Sequence, residues 1–278
     1  MQETVPAEAT IRLAAFLLVF GGMAVFELLS PRLERDELRG AWKSRRWLTN
    51  LGLVVLSSVV LRVVFPAAAV GAALWARENG WGVFNWLEVP VILAGVIAFV
   101  LLDLSVWVEH VASHKVPLFW RFHRVHHVDT AIDVTTGLRF HPVEILVSML
   151  WKAAVVVALG APPVAVLLFE IVLNAGAMFS HSNIGLPQAA DRILRRVIVT
   201  PDMHRVHHSS NRRETDTNYG FNFAFWDRLF GTYLDQPAAG HQGMEIGLKA
   251  PRGRETSGIV WLLGFPFRQR PQKKLTGK

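Results

Sequence analysis

Residues Val143–Ser180 read VEILVSMLWKAAVVVALGAPPVAVLLFEIVLNAGAMFS. The run is almost entirely apolar and nearly twice the length of one bilayer crossing, which takes about 20 helical residues for a hydrocarbon core about 30 Å thick. It is broken at Gly160-Ala161-Pro162-Pro163. Proline lacks the amide a helix interior needs, and glycine accepts the left-handed turn that ends a helix, so this break predicts two antiparallel helices joined by a tight turn. A chain that enters such a hairpin from one surface returns to the same surface.

The segments on either side of the hairpin give that return its meaning. Before it stand His123, His126 and His127, and after it His204, His207 and His208, two copies of His-x-x-His-His. His110 and His114 precede the first copy, and His181 closes the hairpin. Positions i, i+3 and i+4 of a helix lie in one stripe, so each triplet projects three imidazoles from one face and reads as a metal-binding surface. Eight of the eleven histidines fall in the triplets and the leading pair, more than one tetrahedral or octahedral ion can use, which predicts two metal ions. There is no cysteine, so thiolate zinc sites, iron–sulfur clusters, disulfides and cysteine nucleophiles are excluded. Zinc, iron, copper and nickel all remain open for an imidazole-only site.

Three further apolar runs, Thr10–Leu29, Leu51–Trp75 and Trp86–Val108, each suit one crossing. Arg32, Arg35, Arg39, Lys43, Arg45 and Arg46 follow the first, placing that loop in the cytoplasm by the positive-inside rule. The N-terminus then lies outside, the Arg77–Asn85 loop is external, and His110 emerges at the cytoplasmic surface. The expected fold is an all-α integral membrane bundle of about five membrane-embedded helices, including the hairpin, beneath a cytoplasmic histidine-rich helical cap. With Glu3 and Glu8 and no basic cluster, the first run reads as a retained anchor rather than a cleaved signal peptide. Ile259–Phe267 is too short to span and reads as an interfacial segment, and the tail from Arg268 to Lys278 as mobile. The chain divides into anchor helices (1–95), a catalytic region (96–235) and an interfacial segment with a basic tail (236–278). The net charge of +7 comes from residues beside the apolar runs and in the tail, so nucleic acid is not an expected partner.

Asp103, Trp107, His110 and His114 share a helix face at i, i+4, i+7 and i+11. A carboxylate in an apolar span is costly and needs a partner, so Asp103 is expected to accept from the N–H of a ligating imidazole, with an interhelical hydrogen bond or a protonated buried Asp as the alternatives. Glu170, Asn174 and Met178 share the face of His181, suiting them either to line a substrate cavity or to stitch helices together. His141-Pro142-x-Glu144 reads chiefly as a helix start, with proline in the first turn and a carboxylate at the positive end of the dipole. His241, in a Gly/Pro/Ala-rich loop, reads as solvated. A zinc hydrolase or a metal-stabilised scaffold is the competing reading, but His-Glu-x-x-His is absent and Glu109 beside His110 has the wrong spacing for it.

From Asp103 to Tyr233 the chain resembles the fatty acid hydroxylase/sterol desaturase superfamily of integral-membrane di-iron oxygenases. The resemblance rests on Asp103-x3-Trp107-x2-His110-x3-His114, Trp120-x2-His123-x2-His126-His127, Arg139-Phe140-His141-Pro142-x-Glu144, His181-Ser182-Asn183, Pro201-x2-His204-Arg205-x-His207-His208, Asn218-Tyr219-Gly220 and Trp226-Asp227-x-Leu229-Phe230-Gly231-Thr232-Tyr233. It implies two irons held by His110, His114, His123, His126, His127, His181, His204, His207 and His208, with O2 as co-substrate and a lipid C–H bond hydroxylated or desaturated. Arg205 and Asp227 are expected to orient the last triplet, with an ordinary salt bridge at a helix end as the equal alternative. Fatty acid hydroxylases of this superfamily carry a further histidine pair before the last triplet, whereas only His181 occupies that region here, which argues against a ceramide-type substrate. No haem, flavin or dinucleotide motif is present, so a separate electron donor is expected.

Overall fold

The computed structural model describes residues 4–34 and 38–268. Glu3, Arg35 and the tail beyond Arg268 lie outside the described residues. Helices α1 (Thr4–Leu29), α2 (Gly40–Val64), α3 (Ala68–Glu78), the single turn α4 (Val83–Trp86) and α5 (Val91–Lys115) precede α6 (Pro117–His127) and the hairpin α7 (Pro142–Leu159) and α8 (Pro163–His181). Short helices complete the cap: α9 (Gln188–Leu194), α10 (Pro201–His207), α11 (Arg212–Thr215), α12 (Phe225–Leu229), α13 (Gly240–Gly243) and α14 (Ile259–Gly264). Among the described residues β pairing is confined to isolated bridges, and five helical stretches are long and apolar enough to cross a membrane.

The hairpin forms as its sequence predicts. Gly160 takes the left-handed conformation (φ 66°) and its N–H bonds the carbonyls of Val156 and Val157, ending α7, while Pro163 starts α8. Both helices pack with α5 around Ala98, Leu102, Val156, Val166 and Phe169. Small residues on α5 let the helices approach closely, which is how apolar helices associate where lipid removes the hydrophobic driving force. At the turn end, remote from the histidines along α7, Phe65, Trp75, Trp81, Trp86 and Val157 line an open apolar groove of about 870 Å³. Across the bundle, Glu170 on α8 accepts from Lys152 on α7 (2.8 Å) and Arg12 on α1 (2.6 Å). The polar face below His181 therefore stitches three helices together, because each buried charge finds an opposite one.

The second crossing departs from the expected span. Its helix begins at Gly40, so Lys43, Arg45 and Arg46 are helical, and its first half belongs to the cap: Arg46 is fully buried against Asp129 and Asp133. The chain bends at Phe65-Pro66-Ala67, where Pro66 interrupts the amide ladder, and α3 continues. One face of α14 covers Leu53, Val125 and Val128, while Val260 and Phe267 are exposed, the arrangement of a short segment apolar on both sides.

A further element was not expected from the sequence. The segment 219–226 lies along α5, with Tyr219 and Trp226 clustered with Trp107 and with Val100, Leu104, Phe223 and Phe225 packed against them, and the Phe223 ring 6.1 Å from that of Phe99. Irregular backbone at that depth must satisfy its polar groups within the protein. Asp103 does this for Phe223 N (3.2 Å), Asn222 Nδ2 (2.9 Å) and Trp226 Nε1 (2.9 Å), and Asp227 for Tyr219 N and Gly220 N (both 2.8 Å). On the facing helix, a Cβ at Gly176 would stand 2.3 Å from Asn222 Oδ1, so the segment fits because that position has no side chain.

Candidate metal centre

The returning hairpin brings all nine expected histidines together, and they fall into two groups. His110, His114, His123, His127 and His207 form one, and His126, His181, His204 and His208 the other; within each group one nitrogen per ring lies within 4.8 Å of the others, and every ring is buried. Helical geometry explains the division. Around a helix of 3.6 residues per turn, i and i+4 are about 40° apart, whereas i+3 lies about 60° to the other side. Each triplet therefore splits: His123 and His127 share a site while His126 points to the other, and His204 and His208 share that other site while His207 points back. The two triplets exchange one residue each, which ties α6 to α10. This refines the expectation of one face per triplet.

Backbone and carboxylate oxygens fix the rings from behind. His110 Nδ1 donates to Tyr219 O, His207 Nδ1 to Thr217 O and His181 Nδ1 to Ala177 O, each at 2.7 Å, and His123 Nδ1 lies 2.6 Å from Glu144 Oε1. A carbonyl can only accept, so these neutral rings carry their proton on Nδ1 and turn the Nε2 lone pair inward. The Nε2 atoms of His110, His114 and His207 are buried with no hydrogen-bond partner. In the second group His181 Nε2 faces the Nε2 of His126 and of His204, both at 3.0 Å, and His126 Nε2 faces that of His208 at 3.1 Å. Converging imidazole lone pairs without water are costly unless a cation lies among them, so both donor sets fit a metal ion.

The electrostatics agree with that chemistry. Burial pushes His123 down to about 3, and burial together with neighbouring imidazoles holds His126, His127, His204, His207 and His208 well below the usual histidine range. Neutral imidazole is the ligating form. Unfolding releases these rings to their ordinary value near 6.5, so below that pH the unfolded chain binds more protons and stability falls as pH falls. The metal-free protein is expected to lose thermal stability progressively from about pH 6.5 downward; a flat thermal midpoint between pH 7 and pH 5 would contradict it.

The other expected site residues sit outside the two cages. Asp103 does not accept from an imidazole: both its oxygens are taken by the 219–226 segment, so the interhelical alternative describes it. Asp227 accepts from Trp107 Nε1 (3.1 Å) and Thr232 Oγ1 (2.7 Å) as well as the two amides, and touches no ligating ring; it reaches His110 only through Tyr219, whose carbonyl receives the His110 proton. Arg205, fully buried, pairs with Asp202, which also accepts from Arg32 (3.0 Å). His141 caps α7, accepting from Val143 N (3.1 Å). His241 is buried rather than solvated, with Nε2 3.6 Å from Asp202 Oδ2, because the loop folds back onto α10.

The carboxylate behind a ligand is Glu144. Its place after His141-Pro142 signals a helix start, and the same first turn faces His123, so one residue serves the dipole and the imidazole together. Glu144→Gln retains an acceptor but loses its charge, and is expected to lower metal affinity or turnover about 10- to 100-fold. Asp103→Asn is expected to spare metal content and cost about 1–3 kcal/mol of stability through the 219–226 segment. Parallel metal analysis and thermal melts check the pair; equal metal loss in both variants would contradict the assignment.

A helical bundle with five helices long and apolar enough to cross a membrane, carrying two adjacent all-imidazole groups that could each hold a metal ion, defines a histidine-cluster class of membrane protein. A family model described as fatty acid hydroxylase matches residues 95–232, about half of the chain. The chain is 29% identical over 260 residues to ornithine lipid hydroxylase OlsE of Rhizobium tropici, covering 92% of this chain and 75% of that protein. It is 28% identical over 203 residues to alkylglycerol monooxygenase of Xenopus tropicalis, covering 70% of this chain and 43% of that protein. Against cholesterol 25-hydroxylase of Rattus norvegicus the identity is 27% over 196 residues, 69% of this chain and 63% of that protein. No solved structure matches the chain. The protein belongs to the fatty acid hydroxylase/sterol desaturase superfamily.

Proposed function

We propose that this membrane lipid oxygenase is a di-iron enzyme that uses O2 to oxidise a C–H bond of a lipid held in the bilayer. The observation that carries the reading is the division of nine buried neutral imidazoles into cages of five and four donors at one end of an apolar bundle. The relatives named above are hydroxylases and monooxygenases of ornithine lipid, alkylglycerol and cholesterol, three molecules that share membrane residence rather than a headgroup. Irons bound in the two cages supply O2 activation for attack on an unactivated C–H bond. For hydroxylation the balance is RH + O2 + 2 e⁻ + 2 H⁺ giving ROH + H2O.

The chain's own residues prepare that chemistry. The carbonyls of Ala177, Thr217 and Tyr219 and the Glu144 carboxylate hold four rings in one tautomer and orientation before any ion arrives. Asp227 holds the Tyr219 amide and Asp103 the segment beyond it, so the backbone acceptor of His110 is anchored to α5 at two points. Burial of every ring excludes water from the cages, and the apolar helices below present a lipid chain without desolvating any polar group. Arg205 with Asp202 and Arg32 steadies the first turn of α10 from outside the cages. On this reading electrons come from a separate donor, and the charge asymmetry of the sequence supports a cytoplasmic side for the cages.

Purification without oxygen followed by metal analysis should give about two irons per chain, and lipid profiling under 18O2 of cells with and without the gene should show one lipid class gaining a labelled hydroxyl. Stable zinc with no O2-dependent optical change would favour the hydrolase or scaffold reading instead. Reporter fusions in the Arg77–Asn85 loop and after His208 should label opposite faces of the membrane; labelling on one face would overturn the hairpin argument.

A further inference from the structure

Two aromatic side chains, Trp120 and Tyr219, border the five-histidine cage near a basic surface, and a surface cation stands over the first of them. The Trp120 indole lies 5.0 Å from the ring of His114, 5.5 Å from His127 and 6.2 Å from His123, centre to centre, so it touches three of the five rings. On its other side the Arg212 guanidinium stands 5.7 Å over the indole. Arg212 and Lys115 both bond the single carboxylate of Asp216, at 3.1 Å and 2.9 Å, and Arg213 is exposed beside them. Lys115 and Arg212 keep more than half of their side-chain surface exposed. Two cations thus share one acid, with a third exposed beside them, while the Glu214 carboxylate is buried and turned to Ser209 and the Ala238 amide and away from the surface.

We infer that this face is the docking surface for an acidic one-electron carrier protein, with Trp120 as the layer through which an electron passes to the five-histidine cage. The inference rests on the oxygenase reading, which requires two electrons that nothing in the chain supplies. At each docking the reduced carrier loses one electron and becomes oxidised, and a metal ion in the cage gains it; two dockings deliver the two electrons that reduce O2 together with two protons. Opposite charge is suited to such an encounter because it speeds association and sets orientation while leaving the complex short-lived enough to release the spent carrier. The steep fall of electron transfer with distance favours a point where one side chain separates surface from ligands; Trp120 is such a point, and Asp216, 3.6 Å from His114 Nδ1, meets the cage at the same edge. Stacking of Arg212 on the indole keeps the cation at the surface directly above that route.

The test uses the full-length protein in nanodiscs and a plant-type [2Fe–2S] ferredoxin as the acidic probe, with basic cytochrome c as the opposite-charge control. Binding is measured over a salt series on both metal-free and iron-loaded protein. Ferredoxin should bind in both forms with an affinity that falls as salt rises, and cytochrome c should not. The triple variant Lys115→Glu/Arg212→Glu/Arg213→Glu should lose about tenfold or more in affinity and flatten the salt dependence, whereas Arg192→Glu/Arg196→Glu, on α9 and in the turn after it, should lose little. Trp120→Leu should bind normally but slow reduction of the loaded protein by ferredoxin about tenfold, with reduction by dithionite unchanged, and Trp120→Phe should restore part of the rate. Absence of salt-dependent ferredoxin binding, or equal loss in the two charge-reversed variants, would overturn the docking face. Normal ferredoxin reduction of Trp120→Leu would overturn the route. Because binding is read on the metal-free protein as well, a failure of the docking face is distinguishable from a failure of the di-iron reading, which metal analysis reports separately.

Discussion

His204→Ala or His208→Ala is expected to remove about one metal ion per chain and to lower turnover by about 10³-fold or more. Each ring belongs to the four-histidine cage, so its loss leaves three donors, fewer than the four a closed imidazole site needs. The five-histidine cage should respond differently. His114→Ala leaves four donors there, so metal content is expected to fall less than in His208→Ala although turnover still collapses through altered geometry. His241, which lies 3.6 Å from Asp202 and belongs to neither cage, provides the contrast: His241→Ala should keep both metals and most of the turnover. Metal analysis and oxygenation assays on the same preparations measure both quantities. Full turnover after replacing two rings of one cage would refute the two-metal arrangement, and identical metal loss from His114→Ala and His208→Ala would refute the unequal cages.

Much of this site is legible in the sequence, for reasons that can be named. The spacing of the triplets follows the helical period, and the Gly160–Pro163 break forces an even number of crossings between them, so the meeting of the two triplets needs no tertiary information. What the sequence does not carry is direction around the helix axis at the level of single rings. Assigning His126 to the opposite cage from His123 and His127 depends on 100° steps measured against two fixed partners, and those partners come from α8 and α10. The Asp103 contact was misplaced for a related reason. Its helix face points correctly toward the site, but the sequence cannot show that residues 219–226 would lie against that face and use both carboxylate oxygens first. Three of the four groups that hold ligating rings from behind are backbone carbonyls, which have no sequence signature at all. The basic run after α1 illustrates the opposite error: counted as loop charge, Arg46 is in fact a buried structural residue, because charge sign indicates a membrane side but not whether a particular arginine finds carboxylates inside the cap.

That arginine carries the largest expected effect on stability. Arg46 donates through Nε and Nη2 to the two oxygens of Asp129 and through Nη1 to Asp133, all at 2.8 Å, and all three side chains are at most 1% exposed. Burial raises the Asp129 pKa, but Arg46 and Arg139 more than offset it and hold the carboxylate below its usual range, so it stays ionised in the folded protein. Arg46→Ala therefore leaves buried carboxylates short of their main partner, a change that costs about 3–5 kcal/mol, more than deleting the whole cluster in favour of apolar groups would. For a chain of this size that corresponds to a thermal midpoint lower by roughly 10 °C at pH 7. A group with a depressed folded pKa stabilises above its unfolded value near 3.9 and loses that contribution as pH falls through the folded value, so the gap between wild type and Arg46→Ala should narrow under acid. Asp129 follows His127 by two residues and Asp133 opens the turn that leads to α7, so the loosened loop should also free the C-terminal end of α6, where His126 and His127 supply one ring to each cage. Loss of metal from Arg46→Ala together with the drop in melting temperature is the expected result, and partial recovery of both in Arg46→Met/Asp129→Asn separates the stranded charge from the missing side-chain volume. A single Arg46→Ala variant that melts within about 2 °C of wild type at pH 7 would show that these carboxylates find water or another cation, and that the α2 anchor contributes nothing to the cages.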